Sequence, residues 1–596
     1  MDGAGGAGLF AGVDKSACGR RWVVREADPG ATAALAAGLG LPEIVARLLA
    51  QRGVDLDAAP VFLAPRLRDQ LSDPRHLIDM ERAVERLARA IRGGEGIAVF
   101  GDYDVDGATS AALLARFFAS AGAPARVYVP DRQREGYGPN GPALLRLKAE
   151  GAAVVVTVDC GTLAYDALAA AAAAGLDVVV VDHHIAEPRL PRAAAILNPN
   201  RLDETSPHGA LAAVGVAFLL VVALNRALRE AGWYRGGRAE PDLLQWLDLV
   251  ALGTVADVVP LSGLNRALVA QGIKVARRGQ NRGLAALAAV AGIKEPISAY
   301  HLGFVLGPRV NAGGRVGEAD LGARLLATED PALAEDLARR LDEYNRERRD
   351  IEARTLAAAI EAVEAAPQSP SLVFAAAEGW HPGVIGIVAA RLKERYGRPA
   401  CVVALNGGIG KGSGRSVEGL ALGPAVIAAC QAGLLLDGGG HAMAAGFTVA
   451  AVKLEALRTF LAERLGDGRG GEPLEPRLVI DGALSLGAAQ AGLIDHLDRL
   501  APFGAGNPEP RFLFCGVQVA AAAPVGGSHL RCRLAEPLGE GRLEAIAFRA
   551  ADTALGRFLC ETRGAAIHIA GHLRRDTWRG GDRVELVIDD AAAAAG

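Results

Sequence analysis

The sequence predicts an α/β protein whose first large domain is built on a parallel sheet. A long helix, a smaller α/β domain and a small C-terminal β-barrel follow it. Three observations carry that prediction. Short apolar runs, Ile97–Phe100, Val154–Val158 and Val178–Val181, are separated by Ala-rich helical stretches, the pattern of strands buried on both faces of a parallel sheet. A βα pattern restarts at Leu372, after Pro367 and Pro370. From Phe512 onward five short strand candidates and one helix recur at barrel-like spacing.

Taken in order, residues 1–78 read as an N-terminal helical segment and 79–329 as the large domain. A charged helical stretch over 330–370 includes Arg339–Arg349, whose mixed signs at i,i+4 spacing suit an exposed spacer helix. Residues 371–466 form the second domain, 467–476 read as a linker, and 477–596 form the barrel module. There a helical stretch, 487–500, leads through the turn-rich Pro502–Pro510 to strands at 512–520, 529–534, 543–548, 565–573 and 583–588.

At 596 residues the chain exceeds a single core. No basic and apolar leader opens it and no apolar stretch is long enough for a membrane span. Seven cysteines without a Cys-x-x-Cys pair point to a reducing, cytoplasmic setting and away from zinc. Cys160, beside an acid, reads as a small core residue. The net charge of −4 does not announce a nucleic-acid binder. From Arg511 onward eleven arginines face ten acids, so the barrel module is not marked by charge either.

The chemistry sits where the strands end. Gly101-Asp102-Tyr103-Asp104-Val105-Asp106-Gly107 follows the first run, Asp159-Cys160-Gly161 the second, and Asp182-His183-His184 the third. Asp257 lies in Gly253-Thr254-Val255-Ala256-Asp257. Parallel sheets bind ligands at the carboxyl ends of their strands, and acids crowded there repel one another unless a cation joins them. Carboxylates with one or two imidazoles suit Mn2+ or Mg2+. The surplus of ligands over the needs of one ion points to two, the usual device for hydrolysing phosphate esters. Each Asp alone would more often be a cap or loop residue; the repetition at successive strand ends outweighs that reading.

The set Asp-x-Asp, Asp-Cys-Gly, Asp-His-His and Gly-Thr-Val-Ala-Asp resembles the DHH phosphoesterases, in particular the members that digest single-stranded DNA in the 5′→3′ direction. The likeness extends to Asn198-Pro199-Asn200, Val214–Phe218, Pro308–Arg315, Trp380–Ala389, Gly438–Gly446 and Pro502–Pro510. It implies a DHH domain, a DHHA1-type domain and an OB-fold that grips single-stranded DNA. It also implies that Asp104 and Asp106 each face one ion, that Asp159 is shared, and that His183 and Asp257 complete the coordination of the second ion. Asp102 is then a ligand or a close neighbour of one, and His184 contacts phosphate or supports a ligand. Water activated by the ions would attack phosphorus, so no protein nucleophile is needed. Ser413 and Arg415 in Gly412–Ser416, with Arg309, Asn311, Arg315 and His441, would hold substrate phosphates and read a 5′ end. His529 and Trp578 are the barrel residues expected to stack bases.

The family further implies roles in DNA repair and recombination, with single-strand-binding protein and a helicase as partners. A monomer with no membrane contact is expected. Two departures stand out: Ala213 where Gly is expected, and Glu585 where relatives often carry Gln, an added charge expected to weaken DNA binding slightly. Two alternatives stay open, an enzyme for short oligonucleotides or small nucleotides and a scaffold that binds DNA without cleaving it. The C-terminal third argues against the first and the intact acids against the second.

Overall fold

The computed structural model describes residues 11–131, 135–136, 138–365, 369–466, 476–537, 539–576 and 583–594. The chain divides into two compact units. One comprises Leu71–Val259 with Gln271–Leu474, and the other Met1–Gln70, Pro260–Ala270 and Glu475–Gly596.

The first unit holds a five-stranded parallel sheet in the order Arg126–Tyr128, Gly96–Gly101, Ala152–Val158, Asp177–Val181, Ala195–Leu197. Val155, Val156, Val158 and Val179–Val181 are buried, as strands covered on both faces require. Register then decides where the acids go. Gly101 pairs with Val158, Val158 with Val181, and Val181 with Leu197. The next residue on each strand is therefore Asp102, Asp159, Asp182 and Asn198, four polar groups in one row at the sheet edge.

Helix Pro331–Ala365 follows, 35 residues and roughly 50 Å long. Its buried Ala334, Leu337, Ala338 and Leu341 recur at helical spacing, so the charged face read from the sequence is only one side of it. The same unit contains a second sheet in the order Asp437–His441, Ala444–Ala450, Ile409–Arg415, Ala400–Asn406, Val373–Glu378. Only its last pair is parallel.

In the other unit, strand Phe512–Val525 pairs with both His529–Ala535 and Ala566–Arg575. Strand Arg542–Ala547 pairs with His529–Ala535 and, in parallel, with Val584–Ala593, which pairs in turn with Ala566–Arg575. The ring closes as a five-stranded barrel with helix Ala554–Glu561 between its third and fourth strands. The first and last strands run several residues beyond their sequence-based ends. The sequence reading sets residues 1–78 apart as a helical segment. Instead, strand Arg21–Val24 pairs in parallel with Arg477–Ile480. Helices Pro29–Leu39 and Glu43–Ala50 place Leu35, Val45, Leu48 and Leu49 in one apolar cluster with Phe512, Phe514 and Ile569 of the barrel. An isolated helical preamble would have left that apolar face in water.

Buried Arg266 ties three segments of this unit together. Its Nη2 donates to the carbonyls of Phe62 at 3.1 Å, Arg499 at 3.2 Å and Ala501 at 2.8 Å. Glu585 also differs from expectation: it is buried, and Arg574 donates to it at 3.0 and 2.5 Å. Its charge is paired with Arg574 within the barrel. All seven cysteines are free. Among the described residues no helix is long and apolar enough to cross a membrane.

Candidate metal centre

The segment after strand Gly96–Gly101 turns directly into helix Val105–Ser120. Asp104 caps it, its Oδ1 accepting from the Gly107 amide at 3.0 Å. Gly107 is dictated by space. A Cβ there would lie 2.4 Å from the Asp102 carbonyl oxygen and 2.7 Å from its nitrogen, both backbone atoms. Gly107→Ala should therefore displace Asp102 and cost about 3 kcal/mol of stability. Thermal unfolding and Mn2+ titration of the variant check this together, and an unchanged melting temperature would contradict it.

Asp106 is fully buried and points at the start of helix Ala213–Glu230. Its carboxylate accepts from the amides of Ala213 at 2.6 Å and Val214 at 2.9 Å. The helix N-terminus favours that charge. Because Ala213 contributes its backbone amide, its extra methyl relative to Gly leaves this hydrogen bond in place. Asp159 stands at φ 61°, a left-handed conformation that places its carboxylate beside the Asp102–Asp106 loop. Asp257 closes helix Leu247–Ala256.

His183 is the meeting point. Its Nε2 lies 3.3 Å from Asp159 Oδ1, 3.6 Å from Asp257 Oδ2 and 3.9 Å from Asp106 Oδ2. His183 Nε2 and Asp257 Oδ2 are both buried without a hydrogen-bond partner among the described residues. Ligand atoms of three trios converge within 4.8 Å: Asp102–Asp104–Asp159, Asp106–His183–Asp257, and Asp159–His183–His184. Asp159 and His183 each belong to two of them. Acid oxygens with imidazole nitrogens are the donor set of Mn2+ and Mg2+, and orphaned buried donors and acceptors are what an ion would satisfy.

The electrostatics agree. Burial, then the charges of Asp257 and Asp104, pushes Asp106 well above the usual carboxylate range. Burial, then Asp104 and Asp106, does the same to Asp159. Asp257 is pushed up to about 7 by burial and by Asp104. Burial, then the nearby charge of His184, lowers His183 to about 4, which keeps it in the neutral form a metal ligand needs.

His184 is held differently. Its Nδ1 meets Asp182 Oδ1 at 2.7 Å. Burial alone would lower it, but the hydrogen bond and charge of Asp182 prevail and raise it to about 9. Asp182 also accepts from the Thr162 amide at 3.0 Å and the His183 amide at 2.8 Å. Strand periodicity puts Asp182 on the right edge without revealing this orienting task. Asn198 and Asn200 likewise have no role that sequence alone assigns. Asn200 Nδ2 donates to the His183 carbonyl at 2.6 Å and Asn198 Nδ2 to that of His184 at 2.8 Å, fixing the His-His backbone. Cys160 is buried, with its thiol 3.3 Å from the Val158 carbonyl, and fills core space.

The substrate candidates fall into several places. Arg415 donates to Ser413 Oγ at 3.2 Å, and Gly386 of helix Ile385–Tyr396 packs so closely that a Cβ would lie 3.0 Å from that hydroxyl. Arg315 donates to the Gly383 carbonyl at 3.2 Å, just before the same helix. Arg309 is anchored to Asp342 of the long helix at 2.9 Å. Arg309, Asn311 and Arg315 line one cavity of about 470 Å³. His441 is exposed at the end of its strand. In the barrel, His529 packs edge-on against Phe548 at 5.2 Å, and its Nδ1 accepts from the Arg549 amide at 2.9 Å. Trp578 lies outside the described residues.

Comparison with known proteins matches three family models: the DHH family, N-terminal domain, over residues 96–254; the DHHA1 domain over 369–467; and the RecJ OB domain over 480–590. The single-stranded-DNA-specific exonuclease RecJ of Dickeya dadantii is 40% identical over 561 residues, covering 92% of this chain and 96% of that protein. The protein of the same name from Escherichia coli K12 is 37% identical, with 92% and 96% covered. The crystal structure of RecJ in complex with Mn2+ from Thermus thermophilus superposes with a TM-score of 0.79 at 30% identity. That match covers 96% of this chain and 80% of that one. The Mg2+ complex of the same protein gives 0.74.

Proposed function

The chain belongs to the RecJ family of single-stranded-DNA-specific exonucleases, and from that premise we infer that it is a metal-dependent exonuclease of single-stranded DNA that digests from the 5′ end. One observation carries the catalytic part. His183 Nε2 sits among three carboxylates at 3.3–3.9 Å, with its own nitrogen and Asp257 Oδ2 left to be satisfied by an ion.

In this reading Asp102, Asp104 and Asp159 would hold one Mn2+ or Mg2+, and Asp106, His183 and Asp257 would hold the second, with Asp159 as the shared ligand. Bound ions supply Lewis-acid charge neutralisation and lower the pKa of water. The residues around them do the positioning. The amides of Ala213 and Val214 fix Asp106, and Asn200 fixes the peptide of His183. Asp182 keeps His184 protonated near neutrality, so an imidazolium faces the phosphate diester and stabilises its developing charge.

Direction follows from an end-reading site. Ser413 and Arg415 form the 5′-phosphate site, with Arg315 nearby on the other flank of the turn Gly383–Gly386 and His441 as a further phosphate contact. Residues 79–329 then act as the catalytic domain, 371–466 as the substrate clamp, and 477–596 as the module that grips single-stranded DNA, His529 and Trp578 among its stacking residues. Single-strand-binding protein and a helicase as partners, a monomeric state, a cytoplasmic location and a task in repair and recombination belong to the same proposal.

Digestion of 5′-labelled and 3′-labelled single strands, and of the matching duplex, tests the proposal in Mn2+, Mg2+ or EDTA. Mononucleotide should leave the 5′ end of the single strand only, and only with metal. Release from the 3′ end would overturn the polarity. Activity confined to very short oligonucleotides would favour the small-substrate enzyme.

A further inference from the structure

We propose that the cavity between helices Gly307–Val316, Pro331–Ala365 and Ile385–Tyr396 holds a backbone phosphate of the single-stranded substrate, with a flanking base stacked on Phe304 and Tyr300. The inference rests on the reading of the chain as a single-strand exonuclease and adds residues that neither the motifs nor the metal centre contain.

Charge is the first argument. Five guanidiniums line the cavity, those of Arg309, Arg315, Arg348, Arg349 and Arg391, against one lining carboxylate, Glu352. Asp342 pairs with Arg309 and Glu394 with Arg391, and the guanidiniums still outnumber the acids. In a protein of net charge −4 this is a local excess that needs a reason. A buried donor is also left orphaned. Arg348 is 8% exposed; its Nη1 donates to Glu352 at 2.7 Å and its Nη2 to Asn345 at 3.0 Å. Its Nε is buried with no hydrogen-bond partner among the described residues. A buried guanidinium donor left over in an arginine-lined cavity is the complement of a phosphate oxygen.

Two exposed aromatic rings point to the same ligand independently of charge. Phe304, which lines the cavity, is 75% exposed, and Tyr300 is 63% exposed. Their rings stack at 5.4 Å with an interplanar angle of 26°. Two large aromatic faces presented together to solvent form a base-stacking platform, and aromatic faces beside guanidiniums are how single strands are held without regard to sequence. Phe304 lies in a π-helical segment, His301–Leu306, a distortion frequent at functional sites.

Position completes the case. Helix Gly307–Val316 forms one wall of the cavity and packs on the metal-binding loop: a Cβ on Gly314 would lie 2.7 Å from the Tyr103 carbonyl oxygen. Tyr103 stands between Asp102 and Asp104. The cavity is thus one helix away from the metal-binding loop.

The test uses the full chain with Arg391→Glu, Arg349→Glu and Phe304→Ala, all at exposed positions. In Mn2+, the wild type should favour a dodecamer over a trinucleotide in KM, and each variant should reduce that preference about tenfold. For the arginine variants, strand binding in EDTA should show a log–log salt slope flatter by about 0.7 for each phosphate no longer neutralised. For Phe304→Ala, an abasic strand should bind no worse than a normal one, whereas the wild type should discriminate, and Phe304→Trp should restore the difference. Unchanged length preference and salt slope in the arginine variants would overturn the proposal and assign the aromatic pair to a protein partner. A wild type that digests no single strand of any length would instead defeat the functional reading beneath it.

Discussion

Asp159→Asn should lower single-strand digestion by at least about a thousandfold while leaving the metal-free protein more stable than the wild type. Both halves come from the same geometry. Asp159 is buried among Asp102, Asp104 and Asp106, and burial with their charges drives its carboxyl well above its ordinary range. Without an ion that arrangement is strained electrostatically, so an amide of the same shape relieves it. The substitution is conformationally clean, because φ at this position is 61° and Asn is among the few residues that adopt this region readily. Ala would confound the missing charge with backbone strain. With metal the sign reverses, because the amide cannot be shared as an anion between two ions. Melting temperatures in EDTA and in Mn2+, beside the digestion rate, should show a rise in the first and loss of the metal-induced gain. A variant that still digests single strands near the wild-type rate would refute the assignment of Asp159.

The second large effect concerns pH. Asp257 is pushed up to about 7 in the metal-free protein, against 3.8 as the ordinary Asp value. A carboxyl whose folded pKa is raised stabilises the fold most below its unfolded value, and that stability is lost as pH rises through the folded value. Metal-free protein should therefore lose stability between about pH 4 and pH 7, by on the order of 4 kcal/mol from this group alone. Binding of Mn2+ displaces the proton, so affinity should climb with pH over the upper part of that window and each binding event should release protons to the buffer. His183, already neutral above about 4 in the fold, releases no proton to Mn2+ in that window, but its lowering from 6.5 adds stability as pH rises there and partly offsets the loss from Asp257. Calorimetric titration in buffers of different ionisation enthalpy checks the proton count. A pH-independent affinity between about pH 6 and pH 8 would contradict the assignment.

Much of this centre was legible in the sequence because a parallel sheet converts chain order into spatial order. Once Val154–Val158 and Val178–Val181 are strands, their following residues must emerge at one edge, and the register Gly101–Val158–Val181 puts Asp102, Asp159 and Asp182 side by side. The supporting hydrogen bonds were hidden because they depend on loops and helix ends. That Asn200 would hold the His183 peptide, or that the Ala213 and Val214 amides would hold Asp106, has no periodicity to betray it. The arginines of the long helix were ambiguous for a related reason. Arg348 and Arg349 are neighbours in sequence, yet one is buried and the other exposed, and only the packed helix separates them. The N-terminal segment misleads through its partner: nothing local in Arg21–Val24 reveals that it pairs with a strand more than four hundred residues away.

That pairing has a consequence for the order in which the molecule is made. The unit containing the barrel draws on the first seventy residues and on everything after Glu475, whereas the unit carrying the metal centre is encoded almost entirely between them. During synthesis the apolar face of Leu35, Val45, Leu48 and Leu49 emerges well before Phe512, Phe514 and Ile569, with which it packs. The intervening unit has its whole sequence available in the meantime. The N-terminal helices therefore cannot bury that face until the barrel strands have been made. A truncation ahead of Phe512 would remove more than the barrel, since it would also strip helices Pro29–Leu39 and Glu43–Ala50 of their core.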